Sequence, residues 1–157
     1  MYAINRGDIT KKFMIFLPLI LGGFIGFILK DSYTFYESLE VPFFAPPTWL
    51  FPIVWSILYL LMGISHYLIK RDNVSDGHID TIYYIQLFIN LMWPIIFFVF
   101  EQLLLSSLWI VCLDIVVIIM IYRCLKINKL AGYLQMPYLV WSLFATVLNI
   151  TIFIFNF

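Results

Sequence analysis

Residues 43–59 read FFAPPTWLFPIVWSILY and stand at the front of an apolar run that continues to Ile69. Three prolines and two tryptophans fall in this stretch, and a segment that only had to cross a bilayer would need neither. Proline lacks a backbone N–H and disfavours helical geometry in the residue before it, so a loop is predicted here, with a helix from near Thr48. We interpret the rigid stretch as a lid, with Trp49 and Trp55 as the upper wall of a cavity.

The composition indicates a membrane protein. Of the 157 residues, 64% are apolar, 20% are aromatic and 11% are charged. A soluble domain of this size could not bury so much apolar surface, so lipid must be the solvent for most of it. The formal net charge is zero and no basic or acidic block occurs, which argues against a nucleic-acid partner.

Uncharged runs predict five membrane-spanning helices. Each run supplies about 20 residues, the length needed to cross roughly 30 Å of hydrocarbon. The predicted fold is an all-α, five-helix transmembrane bundle in a single domain, residues 1–157. The helices are expected at about residues 10–30, 48–70, 80–100, 103–125 and 133–155, with residues 31–47 as an outer loop that covers the pocket.

The distribution of lysine and arginine predicts the orientation of the bundle. Loops rich in these residues stay on the cytoplasmic side of a membrane. Eight of the nine basic residues fall on one side of the predicted topology, which places the N-terminus in the cytoplasm and the C-terminus outside. The eight are Arg6, Lys11, Lys12, Lys70, Arg71, Arg123, Lys126 and Lys129, against Lys30 alone.

Polar and aromatic residues share one face in the third and in the fifth predicted helix. An amide without a partner in hydrocarbon is costly, so these faces are expected to turn into the bundle. Amides in such positions act either as hydrogen-bonded contacts between helices or as ligand contacts, and both interpretations are open. The residues are Gln86, Asn90, Trp93 and Phe97, and then Tyr138, Trp141, Ala145 and Asn149.

Two further features also leave alternatives open. Asp114 shares a helical face with Ser107, and its carboxyl group has either a structural, hydrogen-bonded role or a role in protonation or ion coupling. Gly22 and Gly26 form a GxxxG pattern, which allows close helix approach either within the bundle or in a dimer.

Aromatic, proline and amide residues concentrate in three blocks. The blocks are Phe35-Tyr36-Glu37-Ser38-Leu39 with Pro42, Ala45-Pro46-Pro47-Thr48-Trp49 and Val54-Trp55; Asn90-Leu-Met-Trp93-Pro94-Ile-Ile-Phe97-Phe98; and Pro137-Tyr138-Leu139-Val140-Trp141 with Phe144-Ala145-Thr146-Val147-Leu148-Asn149. In this order, on five predicted spans, they resemble the translocator protein family, also called the tryptophan-rich sensory protein or peripheral benzodiazepine receptor family. The resemblance covers nearly the whole chain. Phe35 and Phe44 stand where the family usually has tryptophan.

The resemblance implies a five-helix bundle, commonly a homodimer, with a ligand pocket under the first long loop. Family members bind porphyrins such as protoporphyrin IX, and also sterols and isoquinoline or benzodiazepine drugs. Porphyrin is therefore implied as a ligand, and neither a cofactor nor a metal is expected. The positions that match the family's pocket are Tyr36, Pro47, Trp55, Asn90, Trp93, Phe97, Phe98, Trp141, Ala145 and Asn149.

Three functions compete at this stage. The leading hypothesis is a membrane receptor, sensor or transporter for porphyrin-like ligands. The resemblance also implies an alternative, light- and oxygen-dependent porphyrin degradation, with Trp55 and Trp141 in the catalytic role; no acid–base pair or nucleophile indicates conventional catalysis. A membrane scaffold whose tryptophans only pack is the third. A bacterial plasma membrane is the favoured location, with an organelle's outer membrane as the alternative.

Overall fold

The computed structural model describes residues 13–71 and 77–157, apart from the side chains of Asp31 and Tyr33. These residues form seven α-helices and no β-strand. A 3₁₀ turn, Leu29–Asp31, follows α1, and a π-helical turn, Ile95–Val99, follows α4. The α-helices are α1 (Leu17–Ile28), α2 (Tyr33–Glu37), α3 (Leu50–Arg71), α4 (Gly77–Pro94), α5 (Leu103–Ile127), α6 (Lys129–Leu134) and α7 (Met136–Phe155).

Within the described residues, four helical segments are long and apolar enough to cross a membrane: Leu50–Arg71, Gly77–Val99, Leu103–Ile127 and Lys129–Phe155. The expectation of an all-helical, multi-pass membrane protein is confirmed. Helix α1 is apolar but has 12 residues, or about 18 Å of helix, which is less than the thickness of a bilayer core. Its predicted start near residue 10 lies outside the described residues, so the fifth crossing and the side of the N-terminus stay predictions.

Prolines interrupt two of the long segments. Pro94 has no N–H to donate to the carbonyl of Asn90, and the chain widens there into the π-helical turn, where the Phe100 amide donates to the Ile95 carbonyl at 3.0 Å. Pro137 lies in the first turn of α7, directly after the break at Gln135 that separates α6 from α7. The spans predicted at 80–100 and 133–155 are therefore composite helices.

Two glycines bring α1 and the residues before it close to α3. A Cβ atom at Gly63 would lie 1.8 Å from the carbonyl oxygen of Ile15, and one at Gly22 would lie 2.0 Å from the ring of Tyr59. Neither position has room for a side chain, so each permits a close contact between the two chain segments. At Gly26, by contrast, an added Cβ would meet no atom within 4 Å.

Helix α5 packs against α4, α6 and α7. The main buried core includes Met62, Tyr83, Val117 and Tyr138. A second, smaller aromatic cluster forms around Tyr36 and Phe97, together with Leu148 and Ile152 of α7. We call residues 29–49, which join α1 to α3, the first loop, and the end of the bundle beneath it the loop end.

Candidate functional site: a cavity under the first loop

A cavity of about 300 Å³ lies at the loop end of the bundle. Its wall is mostly apolar and aromatic, and comes from α1, the first loop, α3, α4 with its π-helical turn, and α7. Small-molecule pockets usually enclose about 300–1,000 Å³, so this cavity stands at the small end of that range. Five separate segments of the chain therefore build one site.

The structure brings eight of the ten residues predicted for the pocket around this cavity. They come from the first loop, α3, the π-turn region and α7, which are far apart in sequence. Whether they contact a ligand stays a prediction. The eight are Tyr36, Trp55, Asn90, Trp93, Phe97, Phe98, Ala145 and Asn149.

Trp141 does not line the cavity. It lies instead with Val140 and Phe144 in an apolar groove formed by α3 and α7. Trp141 is one helical turn further from the loop end than Ala145, and its ring contacts Phe51, a cavity residue, with 6.1 Å between ring centroids. Trp55 therefore lines the cavity, whereas the Trp141 ring contacts the cavity residue Phe51 and is not part of the lining.

Pro47 is the second predicted residue outside the lining. It is exposed, and its carbonyl accepts a hydrogen bond from the Leu50 amide at 2.9 Å. This bond closes the turn that leads into α3, so Pro47 shapes the start of the helix. Its neighbour Thr48 contributes to the cavity wall instead.

Several lining residues were not predicted from the sequence. Phe51 and Pro52 precede Trp55 by four and three positions, so helical spacing from Trp55 would have found both. Tyr59, four positions after Trp55 on the same helical face, also lines the cavity. No comparable signal existed on α1, whose glycines indicated only close packing. The other lining residues are Gly22, Gly23, Ile25, Gly26, Leu29, Thr48, Ser56, Pro94, Leu148 and Ile152.

Asn90 uses its amide group to join helices. Its Oδ1 accepts a hydrogen bond from the Tyr59 hydroxyl at 2.7 Å, and its Nδ2 donates to the Tyr138 hydroxyl at 3.1 Å. Tyr138 in turn donates to Oε1 of Gln86 at 3.0 Å. For these two amides the interpretation as helix contacts therefore holds, and Asn90 additionally lines the cavity.

Asn149 also uses its side-chain amide to join helices. Its Oδ1 accepts from the indole Nε1 of Trp93 at 3.0 Å, and its Nδ2 donates to the hydroxyls of Ser107 at 2.7 Å and Ser106 at 3.1 Å. One side chain of α7 thus holds both α4 and α5. The Trp93 ring is fixed in orientation by this bond.

Tyr36 differs from these residues because its hydroxyl is buried without a hydrogen-bond partner in the described part of the chain. Burial raises the pKa of the Tyr36 phenol, so the group stays protonated and is a donor at neutral pH. An unpaired buried hydroxyl costs about 1–3 kcal/mol. A ligand with an acceptor atom in the cavity would remove that cost.

Asp114 lies outside the cavity lining, between α5 and α7. Its carboxylate accepts hydrogen bonds from the hydroxyls of Ser142 at 2.5 Å and Thr146 at 2.6 Å. Ser107, which shares its helical face, is bonded to Asn149 instead. These contacts agree with the structural, hydrogen-bonded role of Asp114.

The opposite end of the bundle carries a separate polar group. His66 Nε2 is hydrogen-bonded to Asp80 at 3.1 Å, and its ring stacks on Tyr83 with 3.8 Å between centroids. Lys70 also pairs with Asp80. These contacts tie α3 to α4, and within residues 13–71 and 77–157 no group of three or more His, Cys, Asp or Glu side chains is arranged to hold a metal ion.

Comparison with known sequences agrees with this architecture. Residues 14–155 match the TspO/MBR family. The chain belongs to the TspO/MBR family. The resemblance inferred from the three sequence blocks is thereby confirmed. It extends over α1, the first loop and all four long helical segments.

TspO/MBR relatives come from archaea, bacteria and animals. The tryptophan-rich protein TspO of Archaeoglobus fulgidus is 36% identical over 152 residues, which cover 95% of this chain and 99% of the relative. The tryptophan-rich sensory protein of Cereibacter sphaeroides is 30% identical, covering 79% of this chain and 77% of its own. The human translocator protein is 30% identical, covering 82% and 80%. The chain is thus a multi-pass membrane protein of this family.

Proposed function

We propose that the protein is a membrane receptor, sensor or transporter that binds flat, apolar ring compounds of the porphyrin class in the loop-end cavity. The observation that carries the proposal is the cavity itself, whose aromatic wall combines with an unpaired buried donor, the Tyr36 hydroxyl. Aromatic side chains suit the faces of a planar ring system. A solidly packed interior, as expected of a scaffold, would offer neither feature.

The size of the cavity bears on how such a ligand is held. A whole tetrapyrrole with its side chains is larger than about 300 Å³, whereas a two- or three-ring compound fits that volume. We therefore propose that a porphyrin enters edge-first and displaces the first loop or part of the ring cluster around Phe97. One carboxylate of the porphyrin then accepts a hydrogen bond from the unpaired hydroxyl of Tyr36.

Binding is favoured over light-dependent degradation. The degradation hypothesis requires that the indole rings of Trp55 and Trp141 both contact the bound porphyrin. Trp55 is a cavity residue, but Trp141 lies in the groove behind Phe51. The Trp141 ring contacts Phe51 and does not line the cavity, so direct contact of its indole with a ligand there is not supported.

The proposal also includes an orientation in the membrane, a cellular location and an assembly. The excess of lysine and arginine on one side supports a cytoplasmic N-terminus, five crossings and a cavity that opens toward the outer leaflet. A bacterial plasma membrane is the proposed location, with an organelle's outer membrane as the alternative. A homodimer is the proposed assembly, on the basis of the family resemblance.

The test is a titration of the detergent-solubilised protein with protoporphyrin IX in the dark, followed by quenching of tryptophan fluorescence. Wild type should show saturable binding. Tyr36→Phe should weaken binding about tenfold or less, since it removes one hydrogen bond, often worth about 0.5–1.5 kcal/mol. Phe97→Ala should weaken it more, because a stacking surface is lost.

Tyr133→Phe is the matched control, since Tyr133 is 61% exposed and lies outside the cavity. Affinity equal to wild type in both Tyr36→Phe and Phe97→Ala would rule out this cavity as the binding site. Illumination of the same samples tests degradation: bleaching that is equally fast with Trp55→Phe as with wild type would assign it to the free pigment.

A further inference from the structure

Helices α1 and α3 touch along one part of their length and separate along another. The contacts lie where Gly63 meets the Ile15 carbonyl and where Gly22 meets the Tyr59 ring. Because the two helices run antiparallel, residues beyond Gly22 on α1 face residues before Tyr59 on α3. These residues lie toward the loop end, level with the cavity.

A gap opens there between the two helices. An added Cβ at Gly23 or Gly26 would meet no atom within 4 Å, although both glycines line the cavity. Across from them, Pro52 and Ser56 of α3 also line it. All four residues are exposed on the side of the bundle, so the cavity wall is incomplete between α1 and α3.

The end of the cavity, by contrast, is covered by the first loop. Tyr36 packs on Phe51 with 6.4 Å between ring centroids, and Phe35 packs on Phe97 at 6.1 Å. The backbone of Glu40 is held by the side chain of Asn156 through two hydrogen bonds of 2.9 Å. These contacts hold the first loop over the end of the cavity.

The rim of the gap is suited to lipid. The Ser56 hydroxyl donates to the Pro52 carbonyl at 2.7 Å, so it presents no unpaired donor. The two glycines add no side chain, and Phe24 and Phe27 on the same helix are 60% and 68% exposed, as expected of a surface in contact with acyl chains. Polar backbone on this helix is satisfied internally, which hydrocarbon requires.

We propose that this gap is a lateral portal, through which ligands already dissolved in the bilayer pass between α1 and α3 into the cavity. The ligand class that follows is flat, apolar and membrane-partitioned, and Gly23 and Gly26 limit the thickness of what passes. The identity of the ligand in this inference rests on the proposed function. The existence of the gap depends only on how α1 and α3 pack against each other.

The first experiment measures rates in lipid nanodiscs by stopped-flow quenching with protoporphyrin IX. Gly26→Phe should narrow the portal, and open space at this position allows the ring to be accommodated. The association and dissociation rate constants of the porphyrin should both fall at least tenfold. Unchanged rates would overturn the portal.

The control is Ile20→Phe, which adds an aromatic ring to α1 at a residue that is 51% exposed and outside the cavity lining. Its rates should match wild type. If Ile20→Phe slows binding as much as Gly26→Phe does, the effect belongs to the helix surface and the portal is rejected. A loss of affinity in Gly26→Phe with unchanged association would likewise reject it.

The second experiment needs no ligand and separates the portal from the proposed function. Nanodiscs containing phosphatidylcholine with brominated acyl chains quench tryptophans that the chains reach. The quenching assigned to Trp55 is the difference between wild type and Trp55→Phe. In the Gly26→Phe background, the quenching of Trp55 is obtained in the same way, by comparing Gly26→Phe with Gly26→Phe/Trp55→Phe. It should be at most half of the value in the wild-type background. Equal quenching of Trp55 in the two backgrounds would contradict the portal even if porphyrin binds.

Discussion

The hydroxyl of Tyr59 donates a hydrogen bond to Oδ1 of Asn90 at 2.7 Å, and both residues line the cavity. Asn90 and Gln86 each bond to the Tyr138 hydroxyl, at 3.1 and 3.0 Å. Side chains from α3, α4 and α7 therefore meet in one hydrogen-bonded chain at the floor of the cavity. This chain positions the floor before any ligand arrives.

Tyr59→Phe should destabilise the bundle, because Oδ1 of Asn90 loses its buried donor. Hydrogen bonds between helices in membrane proteins are worth about 0.6–2 kcal/mol. Thermal unfolding in detergent should show a lower melting temperature than wild type. Tyr133→Phe, which changes an exposed tyrosine, should leave the melting temperature unchanged; a matching value for the two variants would show that the bond contributes nothing measurable.

Asn149→Ala should cost more stability than Trp93→Phe. The first change removes the acceptor of the Trp93 indole and the donor to Ser106 and Ser107, and the second removes one bond. Melting temperatures in the same detergent give the order. Thr151→Ala is the control on α7, since its hydroxyl bonds only the Val147 carbonyl of its own helix at 2.8 Å. An equal loss for the two test variants would contradict the assigned contacts.

Gly63→Ala should lower the stability of the bundle, whereas Gly23→Ala should not. At Gly63 the new methyl group would lie 1.8 Å from a backbone oxygen, which can move only with its whole segment. At Gly23 it meets no atom within 4 Å, and alanine favours a helix interior by up to about 1 kcal/mol over glycine. Thermal melts should show a lower value for the first and an equal or higher one for the second. Equal melting temperatures would place the helix contact elsewhere.

Asn156→Ala should loosen the first loop. It removes both bonds to the Glu40 backbone, at 2.9 Å each. Limited proteolysis should cut residues 38–48 several times faster than in wild type, and bound protoporphyrin IX should dissociate faster. Because the bonds involve only the backbone of residue 40, Glu40→Gln should behave like wild type. Unchanged proteolysis in Asn156→Ala would show that aromatic packing alone holds the loop.

Much of the architecture was accessible from local sequence properties. The long apolar runs predicted membrane helices, and the prolines before Trp49 predicted the loop that leads into α3. The spacing of Asn90, Trp93 and Phe97 predicted the face that lines the cavity. These properties depend on backbone chemistry and on the cost of placing polar groups in lipid, both of which are set by residues near one another in sequence.

The tertiary structure decided what depends on distances between helices. It paired Asn90 with Tyr59 and Tyr138, placed the ring of Trp141 against Phe51 and outside the cavity lining, and left open space beside Gly26. Each of these follows from how closely α1, α3 and α7 approach, which is fixed by contacts such as that between Gly63 and Ile15. Helical periodicity assigns a residue to a face, but only the packing of other helices determines which neighbour that face meets.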